Sequence, residues 1–168
     1  DAKSGGSRGD QFSRYPSVDM VLTKDTAYIA TKKGIYGIDR AANLKANSAV
    51  PVLDKESGDL IKSIAAIRKR HKAAADKPEE LKKLTAELAK ATSRLTAIAK
   101  EKTTLNGARV KWFAPREGVG PLALAGGTLF AGGDGFVISV EATTGKRVME
   151  HVLKSRVFTM AVADDRLF

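Results

Sequence analysis

Apolar positions in the middle of the chain recur at steps of three and four residues. They are Leu60, Ile64, Ile67, His71 and Ala74 in a first segment, then Leu81, Leu84, Leu88, Ala91, Leu95, Ile98 and Leu105 in a second. This spacing is the a/d seam of a heptad pattern. Asp76 can cap the second segment and Pro78 suits its first turn. Only "AADKP" separates the segments, so the pattern predicts an antiparallel helical hairpin of coiled-coil type over residues 54–106.

Short apolar runs separated by turn residues flank this helical region on both sides. The three clearest examples are "MVLTKDTAYIA" (residues 20–30), "LALAGGTLFAG" (residues 122–132) and "MAVADDRLF" (residues 160–168). Each has a polar or glycine pair at its centre, as a hairpin loop requires: Lys24-Asp25, Gly126-Gly127 and Asp164-Asp165. The pattern predicts β-hairpins on both sides of the helical region.

The three β segments also align with one another without gaps. The second and third match at an offset of 38 residues, and the first and second match at an offset of 102. The difference of 64 residues is about the length of the helical region with its flanks. A period near 40 with four short strands per unit is typical of β-propeller blades. The sequence therefore predicts a mainly β fold of partial propeller blades, with the helical hairpin inserted as a projecting arm.

This interpretation divides the chain into four parts. They are a flexible or extended lead-in over residues 1–17, first-blade strands over 18–53, the inserted hairpin arm over 54–106, and the rest of the first blade, a second blade and the start of a third over 107–168. Because one interrupted blade, one full blade and half of a third cannot close a ring, we expect the chain to be the N-terminal piece of a longer protein or to receive strands from another chain.

The composition of the chain excludes some kinds of site and favours some classes of partner. The chain has 168 residues, of which 43% are hydrophobic, and it has no cysteine. The absence of cysteine excludes disulfides, thiol catalysis and cysteine-bound metal centres. No apolar run approaches the roughly 18 residues of a membrane-spanning helix. The formal net charge of +10 favours contact with anions such as an acidic protein, anionic lipid or nucleic acid, although a solvated basic surface is an equal alternative.

The glycines of "GGTLFAGGDGFVISVEATTGK" (residues 126–146) raise the question of a phosphate-binding loop. A P-loop requires GxxxxGK[ST], and a dinucleotide fold requires GxGxxG at the start of a helix. Here apolar β residues follow "GGDGF". We therefore expect three turns, at Gly126-Gly127, at Gly132–Gly135 and at Thr144–Lys146, and no phosphate site.

The densest charge cluster lies near the predicted hairpin tip. The candidate residues for contact with a partner or an anion are Arg68, Lys69, Arg70, Lys72, Lys77, Lys82 and Lys83. They could grip an acidic protein or a phosphate backbone, or simply form a solvated surface. No aromatic residue is interleaved with them, so base stacking is not supported. His71 lies on the apolar seam, where a packing or partner contact is more common than metal ligation.

The segment "GGTLFAGGDGFVISVEATTGKRVME" resembles a repeat of the PQQ-like (quinoprotein-type) β-propeller family, and "TAYIATKKGIYGIDRAA" resembles the same repeat without its Thr-Gly-Lys turn. The resemblance covers about two thirds of the chain and leaves out the helical region. In that family an outer-strand tryptophan docks on the neighbouring blade. Trp112 would fill this role for the first blade, and Met149 stands at the equivalent position of the second.

The resemblance also sets functional expectations. Quinoprotein dehydrogenases carry vicinal cysteines and a set of cofactor-binding acidic residues, and none of these can be matched here, so no PQQ or other cofactor, catalytic residue or metal is expected. Many relatives are non-catalytic, including the scaffold of the outer-membrane assembly machinery. The resemblance implies a periplasmic or otherwise extracytoplasmic binding or scaffold segment whose arm contacts protein. The alternatives are a wall segment of a larger enzyme and, more weakly, nucleic-acid or anionic-surface binding through the arm.

Overall fold

Strands at both ends of the chain flank two long consecutive helices. The computed structural model describes residue 15 and residues 17–74, 76–164 and 166–168. The lead-in expected over residues 1–17 therefore lies, apart from Tyr15 and Ser17, outside the described residues. The same holds for residues 75 and 165, each of which belongs to a turn that the sequence predicts.

The described elements follow one another in a simple order. They are β1 (Ser17–Leu22), β2 (Thr26–Thr31), β3 (Gly34–Asp39), α1 (Arg40–Ala73), α2 (Pro78–Arg109), β4 (Val110–Pro115), β5 (Val119–Ala125), β6 (Thr128–Glu141), β7 (Arg147–Arg156), β8 (Val162–Ala163) and β9 (Arg166–Leu167). The chain divides into two compact units, a strand unit (residues 1–44 and 108–168) and a helix unit (residues 45–107).

Strands β1 to β4 form an antiparallel sheet in sequential order. All six residues of β2 are buried, as expected for a strand with neighbours on both sides. The turn before β2 is fixed by a reciprocal pair of bonds, because the Thr23 hydroxyl donates to the Thr26 carbonyl and accepts from the Thr26 amide. Strand β4 follows α2 in the chain and pairs with β3, opposing Ala114 to Ile35.

The second sheet contains β5, β6 and β7, and a separate two-stranded pair contains β8 and β9. The main core of the strand unit joins the first two sheets. Its buried side chains include Tyr28, Ile35, Trp112, Leu122, Leu129, Phe136, Ile138 and Val140. Since these residues come from β2 to β6, the two sheets share one apolar core.

The helix unit is held together by one row of buried residues on each helix. On α1 these are Ala46, Val50, Leu53 and Ile67, with Ala74 just beyond its end, and on α2 they are Leu84, Ala91 and Ile98. The helix α1 begins at Arg40 because the Asp39 carboxylate accepts the Ala42 amide proton at 2.8 Å, which is an N-cap. Pro51 lies inside α1.

The predicted mainly β propeller is wrong. The two helices have 34 and 32 residues, and the described strands form separate sheets of four, three and two strands without a closed ring. The helices are not a hairpin inserted into a blade. Strand–turn–strand patterns occur in any antiparallel sheet, so their recurrence along the chain does not determine how the sheets are arranged.

Two further predictions are corrected by the helix bounds and burial. Residues 40–53, for which the sequence predicts β structure, are helical, because Ala46, Val50 and Leu53 extend the apolar spacing of three and four residues. The coiled-coil prediction is not supported either. Of the two expected seam rows on α2, the row containing Leu84 is buried, whereas Leu81, Leu88 and Leu95 are only partly buried.

The turn expected at Gly132–Gly135 is also wrong, because these residues lie inside the 14-residue strand β6. The glycines instead permit an irregular strand. Gly135 has a φ of +77°, and the pairing of β6 with β7 shifts register between Asp134 and Phe136. A bulge of this kind bends a strand without ending it.

Candidate binding surface at the end of the helix pair

The connection between α1 and α2 is a short turn fixed by backbone hydrogen bonds. The Ala74 amide donates to the Arg70 carbonyl at 3.0 Å, and the Lys77 amide donates to the Ala74 carbonyl at 2.9 Å. The Leu81 amide then donates to the Lys77 carbonyl at 3.0 Å, which begins the second helix. These bonds satisfy backbone groups that helix ends otherwise leave unpaired.

An apolar cluster supports this turn from within the helix unit. Ile67, Ala74 and Leu84 are buried together, with Leu81 and Leu88 packed against them. Because both helices contribute, the positions of the surrounding surface side chains follow from the packing of this cluster.

His71 adds a polar link between the same two helices. Its Nε2 lies 3.3 Å from the Thr85 hydroxyl, which donates its own proton to the Leu81 carbonyl at 2.8 Å. With that proton used, the hydroxyl can accept a hydrogen bond from His71 in the tautomer that carries its proton on Nε2. His71 therefore has a structural role here, and the described residues contain no group of three His, Asp or Glu side chains that could hold a metal ion.

Seven basic side chains surround this turn, and we call them the tip surface. They are Arg68, Lys69, Arg70, Lys72, Lys77, Lys82 and Lys83, and all seven are exposed. Lys77 lies 3.7 Å from Glu80. The other six form no ion pair with any residue that the structure describes. Residues 68–83 contain seven basic and three acidic side chains, a formal net charge of +4.

Basic residues farther along the helix unit are more often neutralised. Arg94 donates two hydrogen bonds to the Glu56 carboxylate, at 2.7 and 2.8 Å, and Lys102 pairs with Asp54. The hydrogen bond from Arg94 lowers the pKa of Glu56, and the same bond raises the pKa of Arg94. No local pattern predicts this ion pair, since its two residues lie 38 positions apart.

Trp112, which the sequence singles out as a docking residue, lies buried within the strand unit. Its indole N–H donates to the Ala142 carbonyl at 3.0 Å, and its ring centre lies 5.9 Å from that of Tyr28. A Cβ atom added at Gly37 or at Gly145 would come within 2.4 Å of the indole ring. The ring thus occupies a slot whose walls are backbone, between β3 and the turn before β7.

Met149, the other residue predicted to dock, is 44% exposed on β7. It lines an apolar groove of about 280 Å³, which we call the β7 groove. The other lining residues are Val137, His151, Leu153, Val157, Thr159, Met160, Leu167 and Phe168. Sequence reasoning missed this groove, because "RVMEHVLKSR" mixes apolar and charged residues as an ordinary half-buried strand does.

A larger cleft of about 910 Å³ lies beside β1 and β5. The Asp19 side chain, which lines this cleft, is hydrogen-bonded to the backbone. Its carboxylate accepts the Met20 amide proton at 2.7 Å and the Leu122 amide proton at 2.8 Å. These bonds give Asp19 a structural role, tying β1 to β5.

Comparisons with known proteins identify no relative of this chain. Neither the protein-family models, nor the curated proteins, nor the solved structures contain a match to this chain. The PQQ-like resemblance and the extracytoplasmic location that it implies therefore stay predictions. Neither helix among the described residues is sufficiently apolar over a sufficient length to cross a bilayer.

Proposed function

We propose that this chain is a non-catalytic binding or scaffold segment that holds an acidic protein partner at the tip surface. The observation that carries the proposal is the concentration of unneutralised positive charge around one short turn. Six exposed cations there lack an ion pair with any described residue, while Arg94 and Lys102 in the same unit are paired. The packed cluster beneath the turn holds the cations close together without an acidic neighbour for most of them.

Stabilisation of a helix end does not account for all seven cations of the tip surface. Cations in the last turn of a helix are stabilised by the helix dipole, by roughly 0.3–1 kcal/mol each. That effect applies to Arg70 and Lys72 at the end of α1. It does not apply to Lys82 and Lys83, which lie near the start of α2, where the dipole favours carboxylates instead. Their placement supports a role in contact with another molecule.

The side-chain chemistry favours an acidic protein over nucleic acid. Proteins that bind single strands combine basic grooves with aromatic stacking platforms. The helix unit, residues 45–107, contains no Phe, Tyr or Trp. Exposed ion pairs contribute about 0.2–1 kcal/mol each. Six of them supply roughly 1–6 kcal/mol at low salt, which corresponds to weak, rapidly reversible and salt-sensitive binding.

Two variants with equal charge test this proposal. The tip variant carries Gln at Arg68, Lys69, Arg70 and Lys72. The control variant carries Gln at Lys45, Lys55, Lys90 and Lys100, which are also exposed and basic but lie elsewhere in the helix unit. Glutamine is a good helix former, so both variants should retain wild-type helix content in far-UV circular dichroism.

Binding is measured by fluorescence anisotropy with a labelled peptide of glutamate and serine, at about 50 mM and about 300 mM salt. We expect the tip variant to bind at least tenfold more weakly than wild type and the control variant to change by less than about threefold, since a tenfold change corresponds to about 1.4 kcal/mol. Equal losses in both variants would show that only net charge matters. Tighter binding of an oligonucleotide of equal charge would support the nucleic-acid alternative.

A further inference from the structure

The outer edge of β7 is open along its whole length in the part of the chain that the structure describes. Strand β7 pairs with β6 on one side and has no described neighbour on the other, so it is the edge of its sheet. It has ten residues, nine of which are exposed. An exposed row of backbone amides and carbonyls can pair with another extended chain.

Apolar side chains accompany this open edge on both faces of the sheet. Val148 and Val152 are 62% and 79% exposed, values that are unusual for valines in a strand. On the other face, Met149, His151 and Leu153 alternate along β7 and line the β7 groove. A strand added beside β7 would therefore find apolar surface for its side chains on each face.

The charges of β7 indicate which kind of segment would pair with its open edge. The strand carries Arg147, Lys154 and Arg156 against a single carboxylate, Glu150. Glu150 is already bound, since Arg116 lies 3.0 Å away and Arg147 lies 2.9 Å away. Lys154 and Arg156 form no ion pair with any described residue, so the second half of the strand is positively charged.

The same charges disfavour pairing with a second copy of β7. In an antiparallel pair centred on the strand, Arg147 of one copy would oppose Arg156 of the other, and like charges directly opposite are destabilising. Basic residues on edge strands are a common protection against self-association. A strand with acidic side chains would be attracted by the same residues.

We propose that β7 is a site of β-strand addition for an extended segment of a partner protein that alternates apolar and acidic residues. Its backbone would pair with the open edge of β7. Because successive side chains of a strand point to opposite faces, its apolar side chains would enter the β7 groove on one face and its acidic side chains would lie on the other. Its carboxylates would lie beside Lys154 and Arg156. This site belongs to the strand unit and does not depend on the tip surface.

The probe is a labelled decapeptide of alternating valine and glutamate. A second peptide of the same sequence has an N-methyl group on every backbone amide, which removes the hydrogen-bond donors from both of its edges. Anisotropy gives the Kd of each peptide, and hydrogen exchange with mass spectrometry locates the protected amides. We expect the unmodified peptide to slow exchange in β7 without changing exchange at residues 68–83, and the N-methylated peptide to bind at least tenfold more weakly.

Protein variants separate the proposed contacts from net charge. Lys154→Glu with Arg156→Glu should weaken binding at least tenfold, and Met149→Ser, at a residue that lines the β7 groove, at least threefold. The matched control, Lys24→Glu with Lys33→Glu, changes the same charge at exposed positions of the same unit and should leave the Kd within about twofold.

Several results would overturn the proposal. They are no binding at saturating peptide, no added protection in β7, equal binding of the N-methylated peptide, or an equal loss in the control variant. Protection at residues 68–83 that disappears in the tip variant would assign the peptide to the helix unit. Protection of β7 that rises with protein concentration in the absence of peptide would identify a second copy as the occupant.

Discussion

The contact between Gly37 and Trp112 allows a sharp test of how the strand unit is packed. A Cβ atom at Gly37 would lie 2.4 Å from Cε2 of the indole and 2.6 Å from its Nε1. Contacts this short require the ring or the strand to move. Gly37 lies in β3 opposite Trp112 in β4, so the glycine makes room for the ring between paired strands.

The expected effect of Gly37→Ala depends on whether the indole is present. In the wild-type background the added methyl overpacks the site, at a cost of about 1–3 kcal/mol. In a Trp112→Ala background the ring is gone, and alanine is better than glycine in a strand by roughly 0.5–1 kcal/mol. Trp112→Ala alone should cost about 3–5 kcal/mol, including the lost hydrogen bond to Ala142. The double-mutant cycle should therefore give a coupling of about 2 kcal/mol or more.

The assay must report on the strand unit alone, because the two long helices dominate far-UV circular dichroism. Hydrogen exchange of peptides from β2 and β3 satisfies this condition and gives the free energy of opening locally. We predict that Gly37→Ala speeds exchange in wild type and slows it, or leaves it unchanged, when Trp112 is alanine. An equal effect of Gly37→Ala in both backgrounds would refute the packing described here.

Two further predictions concern the helix unit, and both use far-UV circular dichroism during urea unfolding. The hydrogen bond from Arg94 lowers the pKa of Glu56 in the folded protein below its ordinary value of 4.5. The stabilisation by this bond is therefore fully present above about pH 4.5 and is lost as the pH falls through the pKa of Glu56 in the folded state. Glu56→Gln should therefore remove part of the acid dependence of stability, and Arg94→Gln should remove the same part; a full acid dependence in either variant would contradict the bridge. Leu84→Ala, at a position that is 1% exposed, should cost about 2–5 kcal/mol, whereas Val52→Ala, at 66% exposure, should stay within about 0.5 kcal/mol, and similar costs would contradict the assigned core.

Local patterns in the sequence predicted local structure well. The runs around residues 20–30 and 122–132 correspond to the consecutive strands β1 with β2 and β5 with β6. The apolar spacing identified Ile67, Ala74 and Leu84, which form one buried cluster. The tip surface could be located in the same way, because a short turn brings residues that are close in sequence close together in space.

Features set by distant residues could not be predicted. Residues 40–53 contain asparagine, serine, valine and proline, which are poor helix formers, and the helix there is stabilised by burial of Ala46, Val50 and Leu53. The arrangement of sheets depends on packing between strands far apart in the chain, which hairpin patterns do not encode. The slot around Trp112 combines β3, β4 and the turn before β7. The outer edge of β7 has no neighbour among the described residues because β7 is the last strand in its sheet.

In the proposed function the tip surface, and not the overall positive charge, binds an acidic partner. The most direct measurement is a titration of the isotope-labelled protein with the glutamate–serine peptide, followed by amide chemical shifts in NMR. We predict saturable shifts concentrated at residues 68–83, which weaken as salt is added. Small shifts spread over basic residues throughout the chain, or a largest response elsewhere, would contradict the proposed function.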